Sequence, residues 1–197
     1  NYDAYVHAFD AIIFRDSSSA DKFRQDFTAK GLRTDNIYVV PWANSWQVKD
    51  IDSTYSKNGD LGFVCFVAGS TSKCEYLKKV VPQWRESDPP LSIYTTRNDF
   101  AENLKTVVKA KNVAVKCQDL DSTSRHRLMT FYRGHLVVSQ GEAYGYAAAN
   151  AETAGAFTIM NQLPVFEESY KSSQGVSWLS NVYSKSDKVR YEIASPS

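Results

Sequence analysis

Gly62-Phe63-Val64-Cys65-Phe66-Val67-Ala68 is the stretch that decides the fold, because nearly all of its residues are apolar. A short run of this kind predicts a strand that is covered on both faces of its sheet. The polar residues 69–72 end the run and offer several N-caps to a helix. That helix carries Leu77, Val80 and Val81 on one side, so we expect it to pack against the strand.

Two further segments repeat this pattern. Residues 91–95 form a second strand candidate, and Asn98 opens a helix in which Phe100 and Leu104 lie about one turn apart. Residues 112–117 form a third strand candidate. Two consecutive strand-helix-strand units predict a parallel sheet with right-handed crossovers.

A separate strand-helix-strand unit precedes the main run. Residues 4–14 contain a strand, Asp16 and the three serines after it cap a helix, and Gly31 is a natural C-cap for that helix. Residues 37–40 form the next strand, which Pro41 stops. The sequence leaves open whether this unit shares one sheet with the rest of the chain.

The pattern is less regular beyond Cys117. An Ala-rich stretch over residues 143–154 predicts a helix packed closely against a neighbour, and residues 155–160 predict a strand. The tail from residue 167 onward is rich in serine and contains one alternating segment. That segment predicts an edge strand or an assembly arm formed by Val189, Tyr191 and Ile193.

These elements predict an α/β fold, with a mostly parallel sheet flanked by helices. A chain of 197 residues is long enough to bury such a core. The predicted division is an α/β core domain over residues 1–166 and a Ser-rich C-terminal segment or arm over residues 167–197.

Charge and hydropathy narrow the classes of partner. Lys plus Arg total 23 and Asp plus Glu total 22, so the overall field favours neither nucleic acid nor an anionic membrane. No apolar run approaches the roughly twenty residues of a spanning helix. The first residues lack the pattern of a signal peptide, and the chain begins without Met, which leaves an earlier removal of a signal open.

Cys65, Cys74 and Cys117 are expected to be free thiols in a reducing compartment, with Cys65 and Cys117 in buried strands. The chain has three histidines and contains neither Cys-x-x-Cys nor His-x-x-x-His spacing. We therefore predict no metal, no cofactor and no catalytic residue from motifs alone.

The carboxyl ends of the predicted strands form the alternative candidate site. Ser70, Thr96 and Gln118 would meet there, in the crevice where α/β sheets commonly bind ligands. Residues 69–72 lack the glycine spacing and lysine of a phosphate loop, so ordinary helix capping is the favoured interpretation. The crevice still supports a second hypothesis, a small enzyme or nucleotide-binding protein.

Two groups of side chains are candidates for an interface. The basic group is Arg125, Arg127 and Arg133, and its favoured interpretation is a solvated face or a set of interface salt bridges. Trp42 and Trp46 lie in a polar stretch and either mark a binding surface or cover a small core.

A family resemblance is carried by seven segments in order: Ser17 to Phe23 and residues 36–40, 62–84, 93–96, 112–115, 144–154 and 161–165. This order resembles that of the sheath proteins of contractile phage tails and related injection machines. The resemblance implies a structural, self-assembling homo-oligomer of the virion, built in the host cytoplasm and in contact with a tail tube or another virion protein. A secreted ligand-binding domain is a third hypothesis.

Overall fold

The structure is a computed structural model that describes residues 8–41, 62–68, 71–139, 142, 145–182 and 190–193. These residues form two sheets, one of two strands and one of seven. The question that the sequence left open is therefore answered, because the first strand-helix-strand unit has a sheet of its own.

The small unit consists of β1 (Ile12–Phe14), α1 (Ser17–Ala29) and β2 (Ile37–Val39). The two strands are parallel, and α1 covers one face with Ala20 and Phe27. The Asp16 carboxylate caps α1 by accepting a 2.8 Å hydrogen bond from the backbone N–H of Ser19, as the sequence predicts.

The large sheet contains six parallel strands and one antiparallel edge strand, in the order β5-β4-β3-β6-β7-β8-β9. The prediction of a mostly parallel α/β sheet is confirmed. The strands are β3 (Phe63–Val67), β4 (Leu91–Thr95), β5 (Val113–Cys117), β6 (Gly134–Val137), β7 (Phe157–Asn161), β8 (Val176–Val182) and β9 (Arg190–Ile193).

Helices cover both faces of this sheet, which explains the apolar run in β3. Phe63, Cys65 and Val67 point into a core shared with α2 and α3, whereas Val64 and Phe66 pack on the opposite face near α4. The helices are α2 (Thr71–Val80), α3 (Asn98–Val107), α4 (Ser122–Phe131), α5 (Tyr146–Thr153) and α6 (Pro164–Tyr170).

The part of the chain after Cys117 forms regular helices and strands, although its sequence pattern is irregular. Residues 122–131 form α4, and Gly134 opens the buried strand β6. Gly134 is required there, since a Cβ atom would come within 2.4 Å of the Phe63 ring. Cys117 is exposed at the end of β5 rather than buried, while Cys65 and Cys74 are buried, and all three thiols are free.

The Ser-rich tail also contributes to the sheet. Residues 164–170 form α6, β8 pairs with β7, and β9 pairs with β8 as the last strand. The division of the chain at residue 166 stays a prediction.

Helix α6 links the two units of the molecule. The Glu168 carboxylate accepts hydrogen bonds from the first backbone N–H groups of α1, 2.8 Å from Ser17 N and 3.1 Å from Ser18 N. A carboxylate at a helix N-terminus is stabilised by the unpaired N–H groups and by the helix dipole.

Candidate functional site

The strand order places a switch point between β3 and β6. The chain moves from β3 to β4 and β5 on one side of the sheet, and then returns to place β6 on the other side of β3. The connections leave β3 and β6 in opposite directions, so a crevice opens outside the carboxyl ends of these two strands. This is the order of the doubly wound sheets that bind nucleotides.

An ion pair joins the two sides of the switch point. Lys73 on α2 follows β3, Glu142 follows β6, and the Lys73 Nζ lies 2.5 Å from the Glu142 Oε1. Glu142 is the more buried partner, with 14 % of its side chain exposed against 25 % for Lys73. The Glu142 Oε1 is buried, and the Lys73 ammonium group is the partner that the described residues give it.

A buried amide holds the backbone just beyond the end of β6. The Asn161 side chain at the end of β7 accepts a 2.9 Å hydrogen bond from Ser139 N and donates a 2.8 Å hydrogen bond to Ser139 O. Asn161 is almost fully buried, and it satisfies both backbone groups of a residue that has already left β6. The amide therefore holds the backbone at Ser139, just beyond the end of β6.

Two crevices lie at this edge of the sheet. The first crevice runs between β3 and β6 and is lined by Lys73, Arg125, His135 and Ala147, together with apolar residues of both strands. The second crevice lies over the ends of β3, β4 and β5, and it has a volume of about 410 Å³ including its open mouth. Its lining includes Phe66, Tyr94, Thr96, Gln118, Asp119 and Arg125.

Aromatic rings form the floor of the second crevice. The rings of Phe66 and Tyr94 are stacked, with their centroids 5.8 Å apart. The Tyr94 hydroxyl accepts a 3.0 Å hydrogen bond from Lys116 Nζ, which raises the pKa of that lysine. An apolar floor with polar groups at its rim is typical of sites that bind planar organic ligands.

Arg125 lies at the boundary between the crevices and lines both of them. Its guanidinium carbon is 5.4 Å from the centroid of the Phe66 ring, a cation–π contact. Among the described residues, no carboxylate lies within ion-pair distance of this side chain.

Two titratable groups are buried beneath the first crevice. Burial raises the pKa of the Cys65 thiol to about 12, so it stays protonated and weakly nucleophilic. Burial also lowers the pKa of His135, and this effect outweighs the opposite effect of the 2.9 Å hydrogen bond that its Nε2 donates to Met129 O. The described residues contain no group of three or more His, Cys, Asp and Glu side chains arranged to hold a metal ion.

The structure separates the basic residues that the sequence groups together. Arg125 reaches the crevices, whereas Arg127 and Arg133 are exposed and line neither of them, and His135 is buried. Thr96 and Gln118 do line the second crevice, as the alternative hypothesis requires.

Other predicted positions lie outside the site or outside the described residues. Trp42, Trp46, Ser70 and Val189 fall outside the part of the chain that the structure describes. Tyr191 and Ile193 belong to β9 at the edge of the large sheet, and assembly through that strand stays a prediction.

Lys73 and Glu142 were missed at the level of sequence. Each follows a strand of the large sheet by only a few residues, and that placement is the signal that could have indicated them. Their pairing could not be predicted, because it depends on β6 lying beside β3.

Comparison with known proteins shows the fold. No family model matches the sequence, and the search of curated proteins finds no match either. Similar solved structures are glycosyltransferases of the GT-B fold. The pneumococcal O-GlcNAc transferase GtfA, in complex with UDP and GlcNAc, has a TM-score of 0.59 and 16 % identity over 83 % of this chain and 33 % of its own.

Two further structures are similar over more of their own length. Anabaena HepE, in complex with UDP and glucose, has a TM-score of 0.60 and 12 % identity over 83 % of this chain and 47 % of its own. A UDP-forming α,α-trehalose-phosphate synthase from Burkholderia xenovorans has a TM-score of 0.61 and 10 % identity over 82 % of this chain and 48 % of its own. The chain thus spans between a third and a half of the length of these proteins.

These findings correct the sheath hypothesis. The structural neighbours are glycosyltransferases and not tail sheath proteins, so the predicted structural role in a virion and the virion location are wrong. The segments that carried the resemblance describe alternating strands and helices, which many α/β proteins share. No helix in the described part of the chain is long and apolar enough to cross a membrane.

Proposed function

We propose that the carboxyl edge of the large sheet binds a nucleoside-diphosphate sugar, and that this chain is the donor-binding part of a glycosyltransferase. The observation that carries the proposal is the convergence of Lys73, Glu142 and Arg125 at the switch point between β3 and β6. The structural neighbours support it, since GtfA and HepE are bound to UDP and a sugar and the synthase is UDP-forming.

Lys73 supplies the charge that glycosyl transfer requires. In that reaction the bond between the anomeric carbon and a phosphate oxygen breaks, and its electron pair leaves with the nucleoside diphosphate. The oxygen of an acceptor hydroxyl forms the new bond to the anomeric carbon, and its proton passes to the departing phosphate oxygen. A cation beside the departing phosphate stabilises the developing negative charge, and Lys73 is accessible enough to do so.

Glu142 is a positioning residue in this proposal. Its carboxylate holds the Lys73 ammonium group in place before a ligand arrives.

The second crevice suits the base of the nucleotide. The stacked rings of Phe66 and Tyr94 offer an apolar surface, and Gln118 and Asp119 place polar groups at the rim. A nucleotide with its base there would extend its phosphates past Arg125 toward Lys73.

Calorimetric titration with UDP, GDP and ADP tests the proposal. We expect the parent protein to bind one of them, and Lys73→Met to weaken that binding about tenfold or more, through the loss of a charge-assisted contact. Lys79→Met is the matched control, because Lys79 is exposed on the same helix and lines neither crevice. A parent protein that binds none of the three nucleotides would overturn the proposal.

A further inference from the structure

Arg125 differs in its contacts from three arginines that lie nearer the surface. Arg24, Arg33 and Arg97 each form an ion pair with a nearby aspartate. Arg125 is half-buried, and no described carboxylate lies within ion-pair distance of it. Removing a cation from water without a counterion is unfavourable, so this position is stabilised by any anion that enters the crevice.

The contact with Phe66 sets the orientation of the side chain. A guanidinium group that lies over a ring keeps its N–H groups free at its planar edge. These N–H groups match the oxygens of a phosphate, to which arginine binds through two parallel hydrogen bonds. The cation–π contact therefore prepares Arg125 to bind an oxyanion.

The backbone holds Arg125 at the start of α4. The Asp121 carboxylate caps this helix by accepting a 2.8 Å hydrogen bond from Ser124 N, and Arg125 N donates to Asp121 O at 2.9 Å. The chain that forms the rim of the second crevice, residues 118–120, leads directly into this cap. Arg125 is thus fixed relative to both crevices.

We propose that Arg125 binds a phosphate group of the nucleotide at the boundary between the two crevices, as a second cation beside Lys73. The inference rests on the proposed function and adds the residue that positions the phosphates. Arg125 lines both crevices, and the phosphates of a bound nucleoside diphosphate have to pass from one to the other. Lys73, in contrast, lines the first crevice and not the second.

The test compares UDP with uridine, which carries the same base and ribose without phosphate. Dissociation constants are measured by calorimetry for UDP and by ligand-observed NMR for uridine. We expect Arg125→Met to weaken UDP binding about ten- to a hundredfold, the range for hydrogen bonds to charged groups, and to change uridine binding less than twofold. We expect Arg125→Lys to recover part of the UDP affinity, because lysine keeps the charge without the planar fork.

Arg127→Met is the matched control, since it removes the same charge from the exposed side of the same helix. Each variant is first checked for an unchanged melting temperature without ligand, and Arg125→Lys serves if Arg125→Met does not fold. Equal losses for UDP and uridine would place Arg125 at the base and overturn the inference, and so would unchanged UDP binding. If the parent protein binds none of UDP, GDP and ADP, the proposed function fails. If the parent protein binds UDP and Arg125→Met binds it equally well, only the inference about Arg125 fails.

Discussion

The two parallel sheets of this molecule differ in how they are covered and in what their edges can do. The large sheet has helices on both faces, whereas α1 covers only one face of the small sheet. On the other face, Ile13 and Tyr38 lie side by side with 61 % and 51 % of their surface exposed. Parallel sheets are normally buried on both faces, but no helix among the described residues lies over this face of the small sheet.

The difference also explains where a ligand can bind. A switch point requires a first strand with neighbouring strands on both of its sides. The large sheet meets this condition, because β3 lies between β4 and β6. The small sheet has only two strands, so it cannot contain a switch point. The cations Lys73 and Arg125 lie at that point. The proposed ligand site therefore belongs to the large sheet, and Glu168 joins the small unit to that sheet through the start of α1.

Core truncation gives the largest expected contrast between the two sheets. Leu77 on α2 is fully buried in the core of the large sheet, so we expect Leu77→Ala to lower the free energy of unfolding by about 2–5 kcal/mol. Ile13→Ala on the exposed face should change it by less than about 0.5 kcal/mol. Urea denaturation measures both values. A loss at Ile13 as large as that at Leu77 would break the comparison, because it would mean that this face is covered in solution.

The buried amide at the end of β7 gives the next largest effect. Asn161→Leu leaves the N–H and the C=O of Ser139 without their partner, so we expect a loss of about 2–4 kcal/mol in the free energy of unfolding. Asn161→Asp keeps an acceptor for the N–H and is the matched variant for the acceptor half of the contact. If urea denaturation finds Asn161→Leu as stable as the parent, the amide does not hold the chain beyond β6.

The buried histidine in the large sheet gives a smaller, pH-dependent effect. Because burial lowers the pKa of His135, the unfolded chain binds its proton near the ordinary value of 6.5 while the folded chain does not. The contribution of His135 to the free energy of unfolding is therefore fully present above pH 6.5. It is lost as the pH falls toward the lowered pKa, by at most about 1.4 kcal/mol per pH unit. Urea denaturation between pH 7.5 and 5 should show a smaller loss for His135→Gln, and equal slopes would contradict this role.

Much of the fold could be predicted because local signals agree with it. The side chains of the apolar run in β3 alternate between two cores. The cap at Asp16 and the polar residues after the run are local signals that predict where helices begin. Helix α4 was missed because its first turns are polar and only Leu128, Met129 and Phe131 pack inward. Strand β6 was missed because Gly134 and His135 interrupt its apolar pattern. Both residues are buried by contacts with distant parts of the chain, such as that of Gly134 with the Phe63 ring.

The site could be predicted only in part. Thr96 and Gln118 follow from the rule that ligands bind at the carboxyl ends of parallel strands. Lys73 and Glu142 come from distant parts of the chain and meet only when β6 pairs with β3. Arg125 was identified as part of a basic cluster, but its role depends on the ring of Phe66, which no spacing in the sequence indicates.

Hydrogen exchange with and without UDP tests most directly the claim that the large sheet alone binds the nucleotide. We predict that saturating UDP slows exchange at the ends of β3, β4 and β5 and in the first turn of α4, and leaves residues 8–41 unchanged. Slower exchange confined to residues 8–41, or no change anywhere under conditions where calorimetry detects binding, would contradict the account.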